Sequence, residues 1–173
     1  MGIAIASEDW QRGMAAVKAY GEARKRFRKA QEELPSVLQG NDNKVGACGE
    51  FWAKWYYHTR GYVITEVPPS NNPGYDFRCS SGKSEVRVSV KVVSDESSTG
   101  RQMRLKTSSS WDEIVLVLLS EEMRAYRIGI ATRQQFEKAK DGGIIGSQPF
   151  ASRSWVGRKG WMARYGIVID LRQ

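Results

Sequence analysis

Histidine, cysteine and long apolar runs are scarce in this chain of 173 residues, which contains one histidine and two cysteines. A structural zinc site takes four cysteine or histidine ligands, so the chain has too few for one. Cys48 and Cys79 are also too few for a disulfide framework, and they favour a reduced, cytoplasmic compartment. No apolar run has the length of a membrane span, and the N-terminus lacks the basic-then-apolar pattern of a signal peptide. We therefore expect no membrane association, and any bound metal to be a hard cation on carboxylates.

Negative charge is in the minority. The chain has 27 lysines and arginines against 19 aspartates and glutamates, which gives a formal net charge of +8 and an isoelectric point near 9.6. An excess of this size favours a polyanionic partner, because neutralised phosphates release their counterions. A basic protein that binds no nucleic acid has the same composition, so charge alone leaves both interpretations open.

The order of elements predicts the fold class. The length suits one domain with a hydrophobic core. Capping signals predict a long helix over 7–34 and a second, nearly all-apolar helix over 44–60. Alternating and β-branched runs predict the strands YVITEV, YDFRC, SEVRVSVKVV, EIVLVLL, RAYRIGIA and YGIVIDL, with the helix TRQQFEKAK before the last one. This order indicates an α/β fold with a mixed sheet of about five or six strands flanked by helices.

Four polar residues are expected to meet at one edge of this sheet. Asp76 lies early on the second strand and Lys91 near the end of the third, and a tight turn joins these strands, so both residues belong at the same end of the pair. Ser89 precedes Lys91 by two residues and shares its face. Glu50, the acid on the apolar helix, can reach the same place. Each also has a structural interpretation: Asp76 as a turn residue, Lys91 as its partner, Ser89 as filler and Glu50 as a partner of Lys54.

Through these residues the sequence resembles the PD-(D/E)XK nuclease superfamily, which includes restriction endonucleases and Holliday-junction resolvases. The matching pieces are GEFWAKWYYHTRGYVI, PGYDF and SVK, within residues 44–119. The resemblance implies a restriction endonuclease-like core and an endodeoxyribonuclease that cuts double-stranded DNA with Mg²⁺, or with Mn²⁺ in its place. One nuclease-like domain would span 1–173, with an N-terminal helix and loop (1–40), a catalytic core (41–119) and C-terminal strands, a helix and a basic-aromatic loop (120–173). Because one chain carries one site, cutting both strands implies a homodimer.

The resemblance also implies roles for the residues. Asp76 would ligate Mg²⁺, Lys91 would orient the attacking water and stabilise charge on the phosphate, and Glu50 would hold a water or a second metal. The second carboxylate of the family falls on Ser89, so another acid must replace it or the site binds metal weakly or not at all. The possible substitutes are Glu50, Glu66, Glu85, Asp95 and Glu96, and we favour Glu50. Because of this serine, a non-catalytic DNA-binding or interaction module remains an alternative function. A structure-selective repair or recombination nuclease is a second alternative.

The segment FASRSWVGRKGWMARYG interleaves basic and aromatic residues near the C-terminus. Guanidinium groups and indoles on a glycine-hinged loop suit phosphate and groove contacts. The residues predicted to contact DNA are Arg153, Trp155, Arg158, Lys159 and Arg164. The alternative is a packed loop with a basic rim.

Overall fold

The computed structural model describes residues 6–33, 44–68, 74–95, 103–104, 110–146 and 149–172. The helices are α1 (Ser7–Glu33), α2 (Lys44–Thr59), α3 (Arg133–Asp141) and α4 (Trp161–Tyr165), and a 3₁₀-helix covers Arg153–Val156. The strands are β1 (Val63–Glu66), β2 (Phe77–Ser81), β3 (Ser84–Ser94), β4 (Met103–Arg104), β5 (Glu113–Leu119), β6 (Ala125–Thr132), β7 (Phe150–Ala151) and β8 (Ile167–Asp170).

Six of the strands form one mixed sheet in the order β1-β2-β3-β5-β6-β8. The neighbours β3 and β5 run parallel, and the other neighbouring pairs are antiparallel. A tight turn with Gly82 at a φ of +60° joins β2 to β3, a backbone conformation that glycine adopts without steric cost. The prediction of an α/β fold with a mixed sheet of about five or six strands and flanking helices is confirmed.

Helix α2 packs on one face of the sheet. The alternation on β3 places Val88, Val90 and Val92 in the core cluster on this face. Gly49 of α2 lies so close to Val92 that an added Cβ would meet the valine Cγ2 at 2.1 Å. A residue without a side chain therefore allows α2 to approach β3 closely, and this contact brings the adjacent Glu50 to the sheet.

The opposite face carries a second core cluster, built from the other residues of β5 and from the C-terminal elements. Leu116 and Leu118 of β5 pack there with Phe136 of α3, and Trp155 and Trp161 from the 3₁₀-helix and α4 complete the cluster. Val93 is the residue of β3 in this cluster. Side chains of β3 at 89, 91 and 93 therefore project to this face, where the C-terminal elements lie.

Helix α1 docks through a few contacts. Trp10 is buried, and its ring stacks on that of His58 with centroids 4.7 Å apart. Further along α1, Arg28 forms an ion pair with Glu121 at 2.9 Å and Lys25 one with Glu122 at 3.3 Å. These two basic residues therefore hold α1 against the turn after β5.

Candidate active site

Strand β3 extends beyond β2, and its residues 89–94 have no strand partner on that side among the described residues; we call this part of β3 the open edge. Phe77, the first residue of β2, pairs with Val88, whereas β3 continues to Ser94 and there pairs with β5. Asp76 occupies the start of this edge. Its backbone N–H donates to the Val88 carbonyl at 2.8 Å, and its Oδ2 accepts the N–H of Val90 at 2.6 Å. The carboxylate thus satisfies a backbone donor that a longer β2 would otherwise pair, and this holds Asp76 in place.

Ser89 supports the same carboxylate. Its Oγ donates to Asp76 Oδ2 at 3.3 Å, and the residue is only 6% exposed. A buried hydroxyl needs a hydrogen-bond partner, and Asp76 provides it. Ser89 acts as a positioning residue in this arrangement: together with the Val90 N–H it fixes one oxygen of Asp76 and leaves the other oxygen for a ligand.

Lys91 follows Ser89 on the same face of β3 and is partly buried. Within the described ranges its ammonium group has neither a hydrogen bond nor an ion pair. The structural alternative for Lys91, an ion pair with Asp76, is therefore not what the structure has. A lysine whose stem is partly buried and whose ammonium has no ion pair in the described ranges is available to an anionic ligand.

Glu50 of α2 lies near enough to the open edge for its carboxyl to interact electrostatically with both Asp76 and Lys91. Burial raises the pKa of Glu50 above its ordinary value; the charge of Lys54 opposes this, and the nearby carboxylate of Asp76 adds to it. The ion pair predicted with Lys54 is present, with Nζ 3.7 Å from Oε2. Glu50 is thus both a partner of Lys54 and a member of the polar group at the edge.

The donor set suits a small hard cation. Mg²⁺ in proteins takes one or two carboxylates and completes its coordination with water. Oδ1 of Asp76 has no hydrogen-bond partner in the part of the chain that the structure describes, and the Glu50 side chain is 36% exposed. The described residues contain no group of three histidine, cysteine or acidic side chains that could hold a metal. A cation at this edge would therefore rest on Asp76, Glu50 and water.

The other acids proposed as substitutes are Glu66, Glu85, Asp95 and Glu96. Glu66 and Glu85 both pair with Arg78, at 3.1 and 3.4 Å. Asp95 pairs with Arg153 at 3.1 Å, and Glu96 lies outside the described residues. Glu50 also pairs with a cation, Lys54, so ion pairing does not distinguish these acids. What favours Glu50 as the substitute for the acid missing at Ser89 is its electrostatic interaction with Asp76 and Lys91.

The predicted DNA-contact residues separate into two groups. Arg158, Lys159 and Arg164 are exposed, as a contact role requires. Trp155 needs correction: it is 5% exposed and packs against Trp161 with ring centroids 5.4 Å apart, so it belongs to the core and does not project toward a duplex. The indole is buried because the surrounding residues fold into the 3₁₀-helix and α4 instead of an extended loop.

Arg153 has a structural contact that the sequence did not suggest. Its Nη2 donates to the Ser94 carbonyl at 2.6 Å and lies 3.1 Å from Asp95 Oδ1. Ser94 ends β3, the strand that carries Lys91. Arg153 therefore ties the basic-aromatic segment to the open edge.

Sequence reasoning missed a second polar group, which joins β3 to the residue before β5. The guanidinium of Arg87 donates from Nε and Nη2 to the two oxygens of Asp112 at 2.9 and 2.8 Å, and the Arg87 backbone N–H donates to the same carboxylate at 2.9 Å. These hydrogen bonds hold the pKa of Asp112 below its usual value. In the core nearby, the Tyr57 hydroxyl donates to the Glu113 carboxylate. These partners are far apart in sequence, so no local pattern indicates them.

No family model matches the chain, and no curated protein is significantly similar to it. Within the described ranges, no helix combines the length and the apolar character that crossing a membrane requires. The functional interpretation therefore depends on the geometry of the open edge and on the motifs that the sequence presents.

Proposed function

We propose that this protein is a metal-dependent endodeoxyribonuclease of the PD-(D/E)XK type that hydrolyses phosphodiester bonds of double-stranded DNA, as restriction endonucleases do. One observation carries the proposal: Glu50 of α2 interacts electrostatically with Asp76, which directly precedes β2, and with Lys91 of β3. Two carboxylates beside a lysine that has no ion pair in the described ranges match the needs of phosphodiester hydrolysis better than those of a structural salt bridge.

In this proposal, Asp76 and Glu50 hold Mg²⁺ or Mn²⁺, which when bound supplies an activated water and positive charge beside the phosphate. Val90 N–H and Ser89 Oγ fix Oδ2 of Asp76, and Oδ1, which has no hydrogen-bond partner among the described residues, would bind the metal. Lys91 donates to the phosphate and stabilises the negative charge that develops during attack. No ion pair of Lys91 within the described residues has to break first.

The proposed substrate is duplex DNA, bound along a basic surface. The net charge of +8 favours a polyanion, and Arg158, Lys159 and Arg164 are exposed on the segment that Arg153 ties to the end of β3. Phosphate contacts of this kind position a duplex without reading its sequence. Each chain has one candidate site, so we propose that a homodimer cuts both strands.

Replacing Asp76 by asparagine tests the proposal. An amide oxygen can still accept the Val90 N–H, but it is a poor ligand for Mg²⁺, so cleavage of plasmid DNA should be abolished while duplex affinity changes little. Cleavage is measured on supercoiled plasmid, affinity by fluorescence anisotropy with a labelled duplex, and folding by thermal unfolding. Undiminished cleavage by a folded Asp76→Asn protein would show that the metal site has been assigned to the wrong residue.

A second candidate function is a DNA-binding or interaction module without catalysis. Ser89 favours it, because it replaces the second acid of the family motif, and so does the lack of any three-ligand metal group among the described residues. In that case the protein would bind duplex DNA with the usual salt dependence and cut nothing at any Mg²⁺ or Mn²⁺ concentration.

A further inference from the structure

Helix α1 is docked on the protein in one orientation. Trp10 is buried, and two glycines allow the helix to approach its neighbours closely. An added Cβ on Gly13 would meet the Phe51 ring at 2.5 Å, and one on Gly21 would meet the Glu122 carbonyl at 2.3 Å. Because these contacts fix the rotation of α1 about its own axis, they also determine which residues the helix presents to solvent.

The side of α1 opposite these contacts is exposed over about five turns. With 3.6 residues per turn, six positions lie within about 40° of one line on the side away from Trp10, Gly13 and Gly21. They alternate in spacing between four and three residues, the repeat by which two helices pack along each other. All six are exposed, and we call them the outer face of α1: Glu8, Arg12, Ala15, Ala19, Glu22 and Arg26.

The charged side chains of the outer face have few contacts within the chain. Among the described residues, Glu8, Glu22 and Arg26 have no hydrogen bond and no ion pair. Arg12 has one ion pair there, with Asp9 at 3.6 Å, and both of these side chains are more than half exposed. An exposed pair of this kind contributes little to stability. The four charges of the outer face are therefore available to a partner.

The order of residues on the outer face is complementary to itself. From position 8 to position 26 it reads acid, base, alanine, alanine, acid, base, and in the reverse direction every acid is replaced by a base. An antiparallel copy therefore sets opposite charges and small residues against each other, in the pairs Glu8 with Arg26, Arg12 with Glu22, and Ala15 with Ala19. This is the pattern of a two-fold interface, in which the same patch is used on both copies. A parallel copy would set each charge against itself, which is unfavourable.

We propose that the outer face of α1 is the contact between two copies of this chain, arranged antiparallel about a two-fold axis. A second copy pairs every charge of the outer face, whereas DNA would use the arginines and be repelled by the acids between them. The outer face lies opposite the docked side of α1, so the two protein bodies lie on the far sides of the helix pair. The inference does not depend on cleavage, but it would supply the homodimer that cutting both strands requires.

Charge reversal tests the pairing. Glu8→Arg and Arg26→Glu each set like charges against each other twice in the dimer, and we expect each to weaken dimerisation at least about tenfold. The combined Glu8→Arg/Arg26→Glu protein should dimerise like the wild type. The two positions are about 27 Å apart along one helix, so only pairing between copies can produce this recovery. Sedimentation velocity across the micromolar range measures association, and thermal unfolding shows that the variants are folded.

The control is Lys83→Glu, in the exposed turn between β2 and β3, which changes the net charge by the same amount as Arg26→Glu and should leave dimerisation unchanged. A wild type that stays monomeric throughout this range would overturn the proposal, as would a double variant that dimerises no better than the single ones. An Arg26→Glu protein that loses duplex affinity without any change in association would also overturn it, because the arginine would then serve DNA.

Cross-linking tests the orientation. Tagged Ala15→Cys protein and untagged Ala19→Cys protein are mixed and oxidised, and Cys48 and Cys79 do not compete because both are buried. We expect the covalent product to contain one copy of each variant, since an antiparallel pair places these two positions opposite each other, where a disulfide can form. Products that join two identical variants in preference would indicate a parallel pair and contradict the arrangement.

The outcome is separable from that of the nuclease proposal, because association is measured without DNA or metal. A dimer that the double charge exchange restores, but that cuts no plasmid, would retain this interface and reject the nuclease. Plasmid cleavage by a wild type that remains monomeric would reject the interface and retain the nuclease.

Discussion

The surroundings of Ser89 determine how a carboxylate at position 89 would behave. The residue is 6% exposed and its hydroxyl already bonds the carboxylate of Asp76. A glutamate at this position would place a second carboxylate beside Asp76, and two close carboxylates both ionise readily only when a cation lies between them. The serine therefore avoids repulsion between two carboxylates when no metal is bound, but it does not supply the carboxylate ligand that an acid would.

The first prediction follows from this crowding. Ser89→Glu should lower the melting temperature in EDTA, and Mg²⁺ or Mn²⁺ should restore part of the loss, because metal binding favours the folded state. If Asp76 and Lys91 are poised as proposed, cleavage should be preserved or increased. Ser89→Gln is the matched control of similar size without charge, and its melting temperature should not depend on metal. A loss in Ser89→Glu that no metal concentration reverses would contradict a metal site at this edge.

The second prediction concerns Glu50. Its pKa is raised chiefly by burial, so the folded state binds this proton more tightly than the unfolded state does, and stability falls as pH rises from about 4.5 through the raised value. Glu50→Gln removes this dependence, and its melting temperature at neutral pH should equal or slightly exceed that of the wild type.

The same substitution should weaken metal use. Because protons compete with the metal for Glu50, the wild type should need more Mg²⁺ as the pH falls toward the raised pKa. Glu50→Gln should require at least about tenfold more Mg²⁺ for cleavage at neutral pH, and its Mg²⁺ requirement should no longer rise as the pH falls toward the raised pKa. Metal titrations of cleavage at several pH values give both results. An unchanged Mg²⁺ requirement in the variant would remove Glu50 from the site.

At the scale of elements, local sequence signals predicted many of the helices and strands and the faces of β3. Alternation on β3 assigned Val88 and Val90 to the core and Ser89 and Lys91 to the opposite face, because a strand has a period of two. The capping box of Thr132 and Gln135 is present at the start of α3. Convergence of Asp76 with the strand end followed from the tight turn between β2 and β3.

Other features depend on long-range packing and have no local signal. The open edge exists because β2 pairs no further than Val88, which composition does not indicate. The strands β4 and β7 are two residues each and pair across the chain, so they have no periodicity to detect. Trp155 and Trp161 alternate with basic residues as exposed groups would, yet the 3₁₀-helix and α4 turn both indoles into the core.

The third prediction concerns how β3 is joined to β5. The bidentate ion pair between Arg87 and Asp112 lowers the pKa of Asp112 in the folded state. The ion pair therefore stabilises the fold fully above the pKa of Asp112 in the unfolded chain, about 3.8, and this contribution is lost as pH falls through the lower pKa of the folded state. Asp112→Asn should reduce the free energy of unfolding at neutral pH by about 1 kcal/mol, the upper end for a solvent-accessible pair because the geometry is bidentate. Denaturant unfolding at neutral and acidic pH measures this. A difference that persists undiminished well below pH 3 would contradict the ionic origin.

At the scale of the whole molecule, charge and site number determine how DNA would be engaged. A net charge of +8 should give duplex binding that weakens steeply with salt, since each neutralised phosphate releases counterions. One candidate site per chain can cut one strand at a time, so a homodimer should produce linear plasmid and a monomer mainly nicked plasmid. The sequence contains no signal for the target sequence or for the cleavage position.

Incubation of pure protein with supercoiled plasmid over a range of Mg²⁺ and Mn²⁺ concentrations, beside Lys91→Ala, tests the nuclease proposal most directly. Lys91 has no ion pair within the described residues, so its removal should leave the fold intact and remove charge from the reacting phosphate. We expect the wild type to convert the plasmid to nicked and linear forms, and Lys91→Ala to do so at least about a hundredfold more slowly. A wild type that binds the duplex but leaves the plasmid supercoiled at every metal concentration would contradict the nuclease and favour the DNA-binding module.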